Sequence, residues 1–179
     1  MSQCIPHKDL LKGIEITLRN VGTLIDSADL LHGHQRYLHS AIFSNLACEE
    51  MAKAQLLIDY HEKGKDLPIA EWKKLSRGGS HKKKIREYLS RILLEDPDER
   101  AKIPATISPD VILDLLADYY GVSLKGRVFY VNWIENSHTW QWLPAIYSET
   151  EQAKISASLL NVRKKYEKYM AHAKKLLDS

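Results

Sequence analysis

Residues that break or cross-link a chain are scarce in this sequence. Eight Gly and six Pro in 179 residues leave few obligatory turns, which points toward helices. The two cysteines, Cys4 and Cys48, lie far apart with no Cys-x-x-Cys, so neither a zinc module nor a disulfide framework is encoded. That usage fits a reducing cytoplasm, the expected location. No run of about 18 apolar residues exists, and the amino terminus lacks the apolar core of a signal peptide, so no membrane contact is expected. Gly78-Gly79 has the spacing of neither a P-loop nor a dinucleotide fingerprint, and a Gly-x-Ser-x-Gly elbow is missing. Cys48, inside a helical stretch beside two glutamates, reads as a packing residue and not a nucleophile.

What is present is a folded composition, 44% hydrophobic and 27% charged. The net charge of +3 is a sum of unlike segments: residues 1–72 carry −3, 73–91 carry +7, 92–162 carry −5 and 163–179 carry +4. The two basic blocks form a patch if the fold brings them together, although a run such as Lys82-Lys83-Lys84 is more often a solvated helix face.

Apolar residues recur at three- and four-residue spacing from Leu10 to Ala28, which predicts a helix over 9–31. His32-Gly33-His34 interrupts it, and a longer run without Gly or Pro predicts a second helix over 35–63, folded back as a hairpin. Residues 64–79 read as a loop with one short turn around Trp72. Further helices are predicted over 81–95, capped by Ser80, over 109–120 after Ser108-Pro109, and over 149–177. Between 121 and 144 the chain turns aromatic and β-branched, which favours extended structure. The expected architecture is one all-α domain spanning 1–179, a bundle of about five helices with an aromatic, partly extended insertion before the last.

Polar chemistry concentrates in Ser44-Asn45-Leu46-Ala47-Cys48-Glu49-Glu50-Met51-Ala52-Lys53, where Lys53 stands four residues from Glu49 and three from Glu50. Periodicity favours a surface pair worth about 0.2–0.5 kcal/mol. The alternative is a partly buried polar cluster against His81 or the basic third helix. A di-iron bundle needs two Glu-x-x-His motifs, and only Glu135-x-x-His138 exists, in the aromatic segment. No metal and no cofactor is expected, and His32 and His34, flanking a glycine at a turn, read as exposed residues.

Four segments, taken in order, resemble one family. They are Leu46-Ala47-Cys48-Glu49-Glu50-Met51-Ala52-Lys53-Ala54, then His81-Lys82-Lys83-Lys84, then Leu124-Lys125-Gly126-Arg127-Val128-Phe129-Tyr130-Val131-Asn132, then Trp142-Leu143-Pro144. Together they resemble the AbiV-type abortive-infection proteins of bacteria, over about residues 14–170 in order and spacing. The resemblance implies a HEPN-like helical bundle, an antiviral role and a homodimer. It also implies binding positions at Glu49, Glu50, Lys53, His81, Lys84, Lys125, Arg127, Tyr130 and Asn132, with Arg127, His81 and Glu50 as the candidate catalytic residues.

Many HEPN proteins are metal-independent ribonucleases with an Arg-x4–6-His motif. Here Arg127 is followed by Asn132 where that motif has His, and Arg77-x3-His81 is one residue short. No general base for a 2′-hydroxyl is then evident, though Arg127 can still hold a phosphate. The preferred expectation is a non-enzymatic defence protein that binds a phage-encoded protein and interferes with phage growth at translation, through the aromatic surface of 129–142. The other is a HEPN RNA-binding protein or endoribonuclease that uses Arg127, the Glu49–Lys53 helix and His81, with the 73–91 block tracking phosphates.

Overall fold

The computed structural model describes residues 3–76, 84–87, 89–90, 108, 110–111, 113–114, 132–134, 139–141, 148, 150, 152 and 162–178. In chain order these give strand β1 (Cys4–Ile5), helix α1 (His7–Gly33), helix α2 (Tyr37–Glu62), strand β2 (Leu67–Pro68), helix α3 (Ile69–Ser76), strands β3 (Asn132–Ile134) and β4 (Thr139–Gln141), and helix α4 (Val162–Leu177). Helical residues also occur at 84–87 and 89–90, in the third helix predicted from sequence and here called the third helical segment, at 110–111 and 113–114, in the predicted fourth and here called the fourth segment, and at 150 and 152. This is an all-α bundle with a small extended insertion ahead of the last helix.

Helix α1 buries Leu10, Ile14, Leu18, Val21, Ile25 and Ala28, the three-and-four spacing of one helix face. Its first turn has Pro6 at the cap position, which offers no side-chain acceptor. The acceptor comes instead from Asp66, whose Oδ1 takes the backbone N–H of His7 at 2.8 Å. Three residues then link α1 to α2, with Gln35 in the left-handed region at φ 59° so that the helices can fold back on each other.

Helix α2 is the centre of the bundle and is buried on almost every side. Ala41, Ser44, Ala47, Cys48, Ala52 and Ala54 are all buried, and their small size lets neighbouring helices approach. The helix stops at Gly64, at φ 63°, whose N–H returns to the carbonyl of His61 at 2.9 Å. Tyr166, Tyr169 and Leu176 of α4 pack against this core, and Ala173 is buried within it.

The stretch read as a loop around Trp72 is a correction: it holds strand β2 and the two-turn helix α3. Pro68 stands immediately before the helix, Glu71 lies in its first turn, Lys73 and Lys74 lie in its last, and Leu75 is buried. Those charges match the helix dipole, which outweighs the polar composition that suggested a loop. β1 pairs antiparallel with β2, Cys4 opposite Pro68 and Ile5 opposite Leu67, a contact between distant segments that no local pattern announces.

The aromatic segment contains the antiparallel pair β3–β4, with Trp133 in register with Trp140 and Asn132 with Gln141. Arg86 ties the third helical segment to the fourth, its Nη2 reaching Asp110 at 2.7 Å and its Nε reaching Asp114 at 2.8 Å. Two acceptors four residues apart on one donor are what adjacent helical turns provide. Among the described residues no helix is long and apolar enough to cross a membrane.

Candidate functional site

The polar residues of α2 do not form a surface strip. Glu49 is 3% exposed and Asn45 is fully buried, so the expectation of a solvated pair is corrected for Glu49. At about 100° per residue, Ser40, Ser44 and Cys48 stack along one line of the helix and Asn45 and Glu49 along the next, both turned into the bundle.

Glu49 faces Lys84, whose Nζ lies 3.7 Å from Oε2, and Lys84 is itself only 7% exposed. This partner of Glu49 is on the third helical segment, across the interface from α2. Lys53 pairs with Glu50, Nζ to Oε1 at 2.5 Å, in a half-buried position three residues apart. Two neighbouring carboxylates therefore have separate cations, one within the helix and one across the interface. Removing Glu49 leaves the Lys84 ammonium without this counter-ion in a low-dielectric setting.

The hydroxyls on this face behave differently. Ser40 Oγ donates to the carbonyl of Ala28 in α1 at 2.7 Å and pins the hairpin close to its turn. Ser44 is equally buried, and its Oγ has no hydrogen-bond partner among the described residues.

Of the positions singled out in the sequence, Glu49, Glu50, Lys53 and Lys84 come together at the contact of α2 with the third helical segment. Asn132 begins β3. His81, Lys125, Arg127 and Tyr130 lie outside the described residues, as do Glu135 and His138, which fall between β3 and β4. His34 is exposed, whereas His32 is half-buried and packs edge-on against Tyr37, ring centroids 5.1 Å apart, a correction to its reading as exposed. Among the described residues no group of three or more His, Cys, Asp or Glu side chains is arranged to hold a metal ion.

Sequence reasoning did not reach the Ser40–Ser44 line or the two histidines His7 and His61, which stack at the far end of α2. The serines carry a legible signal, since hydroxyls four residues apart in an alanine-rich helix mark a polar line on a packed face. The histidines are 54 residues apart and carry none.

Comparison with known proteins adds one finding. A model of the HEPN AbiV family, described as AbiV, matches residues 9–165, a span that runs from the first turn of α1 into the start of α4. No curated protein and no solved structure matches the chain.

Proposed function

We propose, from the premise that this chain belongs to the AbiV family of HEPN-type abortive-infection proteins, that its part in phage defence runs through protein–protein recognition. The partner is a phage-encoded protein, and the complex interferes with phage growth at the level of translation. The working form is a cytoplasmic homodimer.

The observation that supports this reading is that the charged side chains of the polar site are engaged with one another among the described residues. Glu49 and Lys84 are buried against each other, and Glu50 is engaged by Lys53. A general base must reach the proton that it removes, and side chains held in this way stiffen the bundle and leave the reacting position to others. Asn132 standing where an Arg-x4–6-His motif has its histidine points in the same direction. The β3–β4 hairpin, with two tryptophans in register, is the candidate recognition surface, because Trp is enriched among residues that dominate binding energy.

Membership of the HEPN group and the +7 charge of residues 73–91 favour a second reading, RNA binding or metal-independent RNA cleavage. One pair of measurements separates the two. Purified protein is incubated with total bacterial RNA with and without EDTA, beside a folded Arg127→Ala variant, and folded Trp133→Ala and Trp140→Ala variants are scored for phage plaque reduction. The recognition reading expects intact RNA in every lane and loss of protection in the tryptophan variants. EDTA-resistant cleavage that disappears in Arg127→Ala overturns it in favour of the ribonuclease.

A further inference from the structure

The amino-terminal end of the bundle holds a second cluster of titratable groups, about 18 Å further along α2 from Glu49 at 1.5 Å per residue. His7 opens α1, and His61 lies in the last turn of α2. Their rings are stacked, with centroids 4.5 Å apart and planes within 2° of parallel. His7 Nε2 lies 3.0 Å from the carbonyl oxygen of His61. A carbonyl only accepts, so Nε2 of His7 carries the proton. The Nδ1 atom of His61 is sealed from solvent and has no hydrogen-bond partner among the described residues.

We propose that His7 and His61 form a proton-sensitive latch, which holds the amino-terminal strand and the start of α1 against the end of α2 and releases them when His61 is protonated.

The geometry makes the neutral state of His61 the latched one. Whichever nitrogen holds the proton of the neutral ring, the cation carries one at Nδ1, where no acceptor waits among the described residues, and it faces the ring of His7 at stacking distance. Two carboxylates stand near the pair among the described residues. Glu62, next along α2, favours the cation, but its carboxylate is already met by Nε2 of His172 from α4 at 2.7 Å. Asp66, after α2, is engaged by the backbone N–H of His7. Desolvation, followed by the proximity of His7, outweighs Glu62 and holds the His61 pKa below its ordinary value.

What the latch holds is joined to the rest by short contacts, among them the Asp66–His7 bond and the packing of Ile5 against the core. β1 contributes two residues to its pairing with β2, and one further bond joins Ile69 N–H to the carbonyl of Gln3 at 2.9 Å. Gln3 and Ile5 form one wall of a cavity of about 400 Å³ whose other walls include Trp72, Lys73 and Ser76 of α3. Release of the strand therefore uncovers this face of α3, next to the beginning of the basic block.

Amide hydrogen exchange on the full chain, normalised for the intrinsic dependence on pH, tests the latch at about pH 7.5 and about pH 5.5, on either side of the ordinary histidine range. The expected result is that protection of the His7 and Ile69 amides falls severalfold at the lower pH relative to Ile14 and Met51. His61→Phe keeps a stacking ring and the carbonyl acceptor and takes no proton, so its protection should hold at the lower pH. Protection that is unchanged in the wild type, or lost equally in His61→Phe, overturns the proposal. Should that variant fail to fold, ring NMR of the wild type decides instead. The latch requires the His61 ring and the His7 and Ile69 amides to share one midpoint, and separate midpoints overturn it.

Discussion

Lys84 and Glu49 meet at 3.7 Å across the contact between α2 and the third helical segment, both nearly free of solvent. A buried pair of this kind is costly to halve and cheap to replace whole, because most of the penalty comes from the charge left behind. Glu49→Leu alone, which leaves the Lys84 ammonium behind, should lower unfolding stability by about 3–5 kcal/mol in urea titrations, whereas adding Lys84→Met should recover much of that loss. The double variant also separates structure from function. If the pair only stiffens the bundle, a folded double variant keeps phage protection; if recognition uses these charges, protection is lost while the urea midpoint is restored.

Ser40 and Ser44 occupy successive turns of α2 and should respond to alanine with opposite signs. Ser40 Oγ bonds the Ala28 carbonyl, so Ser40→Ala should cost about 0.5–1.5 kcal/mol. Ser44 Oγ is buried with no hydrogen-bond partner among the described residues, so Ser44→Ala removes a desolvated hydroxyl and should stabilise by about 1 kcal/mol. Thermal unfolding of the two variants side by side measures the difference, and equal shifts would refute the assignment of these hydroxyls.

Much of the bundle is legible in the sequence, for a physical reason. Leu10, Ile14, Leu18, Val21, Ile25 and Ala28 repeat with the period of one helix face, and Gly64 marks the end of α2 because only a residue at ease with positive φ serves there. Periodicity fails on α2 itself. A helix buried on all sides has no exposed face to contrast with its core, so Glu49 looked like a surface residue. The β1–β2 pair and the His7–His61 stack are equally invisible, since each joins segments more than 50 residues apart. Of the candidate site, the Glu-Glu-x-x-Lys helix was legible as polar chemistry, but its partner Lys84 follows only from the packing of a different helix.

Acid should weaken the fold in two separate windows. The His61 pKa is lowered from 6.5, by desolvation first and His7 second, so the unfolded chain binds a proton before the folded one. The stability this neutral ring contributes is complete above 6.5 and is lost as pH falls from there toward the folded value. Glu15 is lowered from 4.5, chiefly by its hydrogen bond with Lys12 and then by the charges of Lys12 and Arg19. Its contribution is present above 4.5 and is lost as pH falls through its lower folded value. Urea midpoints measured across the acid range should therefore show an upper step removed by His61→Phe and a smaller, salt-sensitive lower step reduced by Lys12→Met.

Gly22 and Gly33 lie on the same helix and should answer alanine in opposite directions. A Cβ on Gly22 would come within 2.7 Å of the Tyr166 hydroxyl and 3.2 Å of its ring carbon Cζ, so α4 packs here because α1 offers no side chain. Gly33, at the end of α1, has nothing within 4 Å of such a Cβ and no positive φ. Gly33→Ala should stabilise by about 0.4–1 kcal/mol through the unfolded chain. Gly22→Ala gains the same term but must displace Tyr166, and an overpacking cost of about 1–3 kcal/mol leaves it net destabilising. Adding Tyr166→Phe removes the nearer atom and should return part of the loss. If Gly22→Ala proved as stabilising as Gly33→Ala, the close seating of α4 on α1 at this point would be wrong.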